Sequence, residues 1–178
     1  IKYDTRNRNL LKTRNALLLK FLYLTAARRS EAANLKWDDL QQDGEFQVVI
    51  LQQTKSGEPQ KRKLRRELFE ELECWNETLK TNQIECEWVF PSLSFRTLGG
   101  KMSGKGVNDV VSKLGSAIGL KISAHYLRHT AITLALELGE PLQKVQSYAR
   151  HASANTTIRY FHDQQFLEKN PTDRLPMI

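Results

Sequence analysis

A mainly α-helical α+β fold with one small antiparallel sheet is what this sequence predicts, on three observations. Two segments, 10–24 and 131–138, are apolar on most faces, as helices are at the centre of a core. Two others, 66–79 and 107–118, gather their apolar residues into one stripe at helical spacing. The run Phe46-Gln-Val-Val-Ile-Leu51 is short, β-branched and bounded by turn residues, so it reads as a strand leading into a hairpin.

A chain of 178 residues can build one good core, so 1–178 is expected to be a single domain, with 1–8 as an entering linker and 163–178 as a C-terminal tail. Hydrophobic content of 40% and charged content of 26% describe an ordinary globular protein. The net charge of +7 favours an anionic partner, nucleic acid ahead of a membrane. Cys74 and Cys86 are the only cysteines and form no CxxC pair. That excludes a disulfide framework and a cysteine-based zinc site, and fits the reducing cytoplasm. No apolar run reaches the roughly 18 residues of a membrane span, and nothing resembles a signal peptide. With Ile at position 1, the chain reads as a piece of something longer.

Taken in order, Leu10, Leu11, Leu17, Leu18, Leu19, Phe21, Leu22 and Leu24 make the first buried helix. Charge appears abruptly at its end in Thr25-Ala-Ala-Arg28-Arg29-Ser30-Glu31, and a second helix is expected from Ser30 through Ala32, Ala33, Leu35 and Trp37. The strand 46–51 leads through Thr54-Lys55-Ser56-Gly57 into a strongly basic return limb, Gln60-Lys-Arg-Lys-Leu-Arg65. Such a run is ordinarily a solvated face; on a hairpin beside Lys55 it can also lie along a nucleic-acid backbone. In the helix from Arg66 to Leu79 the stripe is Leu68, Phe69, Leu72, Trp75 and Leu79, with Cys74 read as a buried small hydrophobe. Trp88-Val-Phe-Pro-Ser92 reads as a short buried strand stopped by proline. Residues 92–106, with four glycines, Arg96, Lys101 and Lys105, read as a basic loop without the order of a nucleotide-binding loop. A helix carrying Val107, Val110, Val111, Leu114 and Ile118 ends near Gly119.

Ser123 is the expected N-cap of a central helix reaching Leu138, and only its N-terminal end carries chemistry. His125 and Arg128 share a face there, beside the free N–H groups and positive dipole end that suit a phosphate. A Gly139-Glu140-Pro141 break precedes a helix to Ala149, and a short helix from Ala154 to Phe161 carries Tyr160. His125 and His129 at i, i+4 could suggest zinc, but the glutamate of HExxH is missing and Tyr126 fills its place. No cluster of Asp and Glu has metal-ligand spacing either, so no metal and no cofactor are expected. What remains is two arginines, a lysine, two histidines and a tyrosine: forks for phosphate oxygens, proton carriers and a nucleophile.

The order Thr25-x-x-Arg28-x-Ser30-Glu31, Lys55 after a strand, His125-x-x-Arg128-His129-Thr130, then His151-Ala-Ser-x-x-Thr156-Thr157-x-x-Tyr160, resembles the tyrosine recombinase (phage integrase) family over residues 10–162. The resemblance implies that family's catalytic domain, a helical core with a small antiparallel sheet. It also implies a site-specific recombinase that cuts and rejoins double-stranded DNA through a 3′-phosphotyrosyl bond, without ATP or metal. Tyr160 would attack the phosphate and Arg28 and Arg128 would clamp its oxygens. Lys55 would protonate the leaving 5′-oxygen, while His125 and His151 would hydrogen-bond the phosphate or carry protons. Glu31 would orient an arginine. Lys61, Arg62, Lys63, Lys101, Lys105 and His129 are candidate DNA contacts.

Implied too are a homotetramer in the synaptic complex, with the isolated piece compatible with a monomer, and a separate N-terminal DNA-clamping domain that nothing in the chain resembles. Other outlets for the same chemistry are a type IB topoisomerase-like enzyme or a hairpin resolvase; a non-cleaving DNA-binding module is the rival of another class. The chain departs from the family pattern at Ala26 and Arg150, where glycine is usual, at Arg29, where an apolar residue is usual, and in placing a second hydroxyl at Tyr126.

Overall fold

The structure, a computed structural model, describes residues 2–52 and 59–150, with side chains from residue 7 onward. Six α-helices and three strands occur among them: α1 (Lys2–Thr25), α2 (Arg29–Ala33), β1 (Leu40–Asp43), β2 (Phe46–Leu51), β3 (Gln60–Lys63), α3 (Arg66–Thr81), α4 (Gly104–Ser116), α5 (Ala124–Glu137) and α6 (Leu142–Ala149). The fold is the mainly helical α+β class that the sequence predicts. None of these helices is long and apolar enough to cross a membrane. The chain forms two compact units, Ile1–Arg128 and His129–Ile178.

In the first unit, Leu18, Phe21 and Leu22 of α1 are fully enclosed, with Leu68, Leu72, Trp75 and Leu79 of α3, Val49 and Leu51 of β2, and Val107 and Val111 of α4 in the same core. Each buried side chain of this size contributes about 1.5–3 kcal/mol. The α1 backbone is helical from Lys2, earlier than its apolar pattern begins, so the segment expected as a linker is helix from its second residue. Cys74 is exposed, contrary to expectation. It lies about 200° around the helix from Leu72, among the exposed Glu70, Glu71, Glu73 and Glu77.

The sheet is antiparallel in the order β1-β2-β3. Leu40-Gln-Gln-Asp43 carries one apolar residue and gives little strand signal, yet it pairs with β2 in the register Asp43↔Phe46 to Leu40↔Val49. Gly44 takes φ +59 at the first central position of the two-residue turn, where a type II′ hairpin needs glycine. The Asp43-Gly44 dipeptide was the available signal for this strand.

Two expectations of length and type are corrected. The second helix stops at Ala33, short of Leu35 and Trp37, because the chain there turns to a neighbour: Val89 N–H donates to the Leu35 carbonyl and Trp37 N–H to that of Glu87. Residues 88–92 in turn are not a strand but a bent segment with isolated bridges Lys36↔Trp88 and Pro91↔Lys101. Side chains replace the missing partner strand: Trp75 Nε1 donates to the Val89 carbonyl at 2.9 Å and Arg14 Nη1 to that of Pro91 at 3.0 Å. Arg14 is buried for this purpose, and desolvation pulls its pKa down to about 10. The Phe21 and Phe90 rings, 5.6 Å between centroids, close the same seam.

In the second unit Ala131, Ile132 and Leu136 of α5 and Val145 and Ala149 of α6 are buried. Leu134 is exposed, as is Leu138 just past the helix end, so α5 is not enclosed all round as its composition suggested. A helix that is apolar by composition still buries only the faces that neighbours cover.

Candidate functional site

The site begins where α1 ends. Thr25 returns its Oγ1 hydrogen to the Phe21 carbonyl at 2.6 Å, and Ala26 then swings to φ +47. A left-handed residue just past a helix end is ordinarily glycine, since a Cβ there costs about 1–2 kcal/mol. Ala26 accepts that conformation while fully buried. The swing brings Arg28 to the N-cap of α2 with extended backbone.

Arg28 and Glu31 are held together twice. The Arg28 N–H donates to Glu31 Oε2 at 2.6 Å, and Arg28 Nη1 donates to Oε1 at 2.9 Å. The carboxylate is wholly buried, whereas the Arg28 side chain is 29% exposed. The guanidinium is therefore anchored at Nη1 while the side chain stays partly exposed. Arg29, its neighbour, is exposed.

Arg128 arrives from 102 residues away. It is buried, and its Nη1 donates to the Ala26 carbonyl, two residues before Arg28. Ser123 caps α5 by accepting the Tyr126 N–H at 3.1 Å, as its position predicts. His125 stands exposed in the first turn, and Tyr126 is exposed beside it. Arg128 thus ties the start of α5, where His125 also sits, to the corner that carries Arg28, and these residue types suit a phosphodiester.

Asn108 and Ser112 of α4 also reach this helix start. No motif marks them; Asn108 follows the core residue Val107 and reads as the polar flank of a stripe. The Ala26 carbonyl is likewise invisible to residue-type reasoning, though the glycine usual at that position was a signal.

Lys55, His151 and Tyr160 lie outside the described residues, as do the expected helix 154–161 and the tail 163–178. Among the suggested DNA contacts, Lys61 pairs with Asp43 at 2.8 Å and Lys63 Nζ sits 4.6 Å from the Phe46 ring centroid. Arg62 is half-buried and donates to Gln60 Oε1 at 3.1 Å. Much of the charge of this basic strand is thus engaged on its own sheet. Lys101 lies over Trp88, with Nζ 5.3 Å from the ring centroid, and Lys105 is exposed in the first turn of α4. His129 is exposed, its Nδ1 3.3 Å from Thr133 Oγ1 one turn on. Among the described residues no three His, Cys, Asp or Glu side chains gather as a metal would require.

Arg150, the second departure from a usual glycine, closes α6 in the left-handed conformation, φ 56 and ψ 44. Both substituted positions therefore keep the backbone that glycine would adopt.

The chain resembles known proteins along most of its length. It is 31% identical to a tyrosine recombinase of Synechococcus elongatus over 165 residues, 91% of this chain and 51% of that protein. With the tyrosine recombinase XerA of Pyrococcus horikoshii it shares 32% identity over 147 residues, 83% of this chain and 50% of that one. The chain spans about half the length of these curated relatives. Among solved structures, the XerH site-specific recombinase in a post-cleavage complex with its palindromic difH substrate superposes with a TM-score of 0.77 at 24% identity, covering 93% of this chain and 47% of that one. The XerA recombinase gives 0.70 at 23% identity, covering 98% and 65%. The model of the phage integrase family matches residues 3–166, and the chain belongs to that family of tyrosine recombinases.

Proposed function

We propose that this chain is the catalytic part of a site-specific recombinase that cuts and rejoins double-stranded DNA through a covalent tyrosine intermediate. The observation that carries the reading is the convergence of the α1–α2 corner with the start of α5. Arg128 is fastened to the Ala26 carbonyl, and Arg28, two residues on, is partly exposed with its guanidinium anchored by Glu31. Two such forks, with His125 alongside, would hold the non-bridging oxygens of one phosphodiester and stabilise the charge of a pentacovalent transition state.

In this reading the Tyr160 oxygen attacks the phosphorus, the 3′-phosphotyrosyl bond forms and the bond to the 5′-oxygen breaks. Lys55 gives the leaving oxygen its proton, and His151 or His125 receives the proton of the phenol. The new ester conserves the energy of the old one, so rejoining needs neither ATP nor metal. The relatives named above are recombinases, which supports a DNA substrate; four protomers on two duplexes and a cytoplasmic site of action belong to the same proposal. Lys105, exposed in the first turn of α4, is the stronger candidate for a backbone contact, because Lys61, Lys63 and Lys101 each already lie against a partner.

The experiment is a DNA duplex nicked near the scissile phosphate, so that the cleaved end diffuses away. The wild-type protein is expected to accumulate a denaturation-resistant adduct. Tyr160→Phe should form none, and Arg28→Ala and Arg128→Ala should each slow it by about a hundredfold or more. An adduct that persists in Tyr160→Phe removes the proposed nucleophile. No adduct from the wild type, with DNA still bound, reduces the chain to a binding module.

A further inference from the structure

We infer that Asn108, through Ser112, is a positioning residue for the phosphate site, fixing the start of α5 and thereby His125 and Arg128. The inference rests on the reading of that site as the one that holds the scissile phosphate. The geometry is a short relay. The Ala124 N–H, first in the helix, donates to Asn108 Oδ1 at 3.2 Å. Asn108 Nδ2 donates to Ser112 Oγ at 3.5 Å, a long contact, and the Ser112 hydroxyl donates to the Ile122 carbonyl at 3.1 Å. One acceptor and one donor of the Ile122–Ala124 stretch are therefore held by one face of α4.

The first N–H groups of a helix have no partner within it. Here Ser123 Oγ takes the third, from Tyr126, and Asn108 takes the first, from Ala124. The second belongs to His125, and among the described residues nothing bonds to it. Asn108 and Ser123 thus take the donors on either side of the His125 N–H.

The direct bond to the helix start needs only the Asn108 acceptor, and the donor serves the longer contact to Ser112; alanine supplies neither, and aspartate keeps the acceptor. α4 is a firm support, since Val107 and Val111 are fully buried beside the relay and Gly115 admits Ile122. Its stability comes from the core, so loss of Asn108 would let the start of α5 shift while the fold persists. A displacement of about 1 Å at a catalytic group can cost on the order of a hundredfold in rate.

The test compares Asn108→Ala, Asn108→Asp and Ser112→Ala with wild type in single-turnover cleavage of the nicked duplex, at saturating DNA and well below the melting temperature. DNA affinity and thermal stability are measured on the same samples. Asn108→Ala is expected to slow adduct formation by at least about tenfold while DNA affinity changes less than about threefold, and Asn108→Asp should recover most of the rate. Ser112→Ala should show the smaller loss of an indirect partner. Asn108→Ala that cleaves at the wild-type rate, whatever its melting temperature, overturns the inference, as does an Asn108→Asp no better than alanine. Arg128→Ala and Tyr160→Phe run alongside. If either cleaves normally, the site itself is misread; if both are dead while Asn108→Ala is fully active, only the brace is refuted.

Discussion

Removing Glu31 should cost both stability and the placement of Arg28, by amounts that follow from its bonds. Its carboxylate is buried and accepts two hydrogen bonds from Arg28, one from the backbone N–H and one from Nη1. In Glu31→Ala the N-cap amide of α2 loses the Glu31 carboxylate as its acceptor, worth about 1 kcal/mol. Loss of the charged pair costs more when the abandoned partner is buried, about 3–5 kcal/mol, but Arg28 is 29% exposed and water can take over much of its solvation. The sum is about 2–3 kcal/mol, or roughly 5–10 °C in melting temperature for a chain of this size. Glu31→Gln keeps an oxygen for one of the two bonds and should lose about 1 kcal/mol. Urea titration read by circular dichroism measures both. The cleavage assay should fall further than stability does, by at least about tenfold for alanine at 25 °C, because an unanchored guanidinium samples other rotamers. Glu31→Ala within about 0.5 kcal/mol of wild type, or glutamine as harmful as alanine, would show that the pair does not hold the α1–α2 corner.

Ala26 tests the backbone of the same corner. Ala26→Gly should change stability by no more than about 1 kcal/mol, relief at φ +47 offsetting a lost buried methyl and a freer unfolded chain, whereas Ala26→Val, β-branched and without room, should cost more than about 2 kcal/mol. Equal melting temperatures for the two variants would contradict the left-handed assignment. Gly115→Ala puts a methyl 2.3 Å from Ile122 Cγ1 and 2.7 Å from the Leu120 carbonyl oxygen, so a loss of about 1–3 kcal/mol is expected in denaturant unfolding, with slower cleavage because the α4–α5 connection must move. A neutral substitution would place that connection further from α4. Cys74, exposed, should react with a thiol reagent at least about tenfold faster than Cys86, whose half-buried thiol is pushed up by desolvation. Mass spectrometry of the singly labelled chain decides it, and Cys86 reacting first would reverse the assignment.

Periodicity and capping chemistry lie within a few residues of one another, so the sequence alone determined the helix order, the strand 46–51, the Ser123 cap and the motif residues themselves. The fold class follows from the same local signals. Tertiary structure decided what depends on partners distant in the chain. Leu40–Asp43 is a strand because β2 lies beside it, and residues 88–92 are not one because Arg14 and Trp75 satisfy their carbonyls from helices. Exposure of Leu134, Leu138 and Cys74 follows from which faces are covered, which composition does not encode. At the site the residue types were legible, but the fastening of Arg128 to the Ala26 carbonyl and the reach of Asn108 to the Ala124 N–H were not. Both are contacts to backbone groups, which every residue carries alike, so only the three-dimensional chain path can select them.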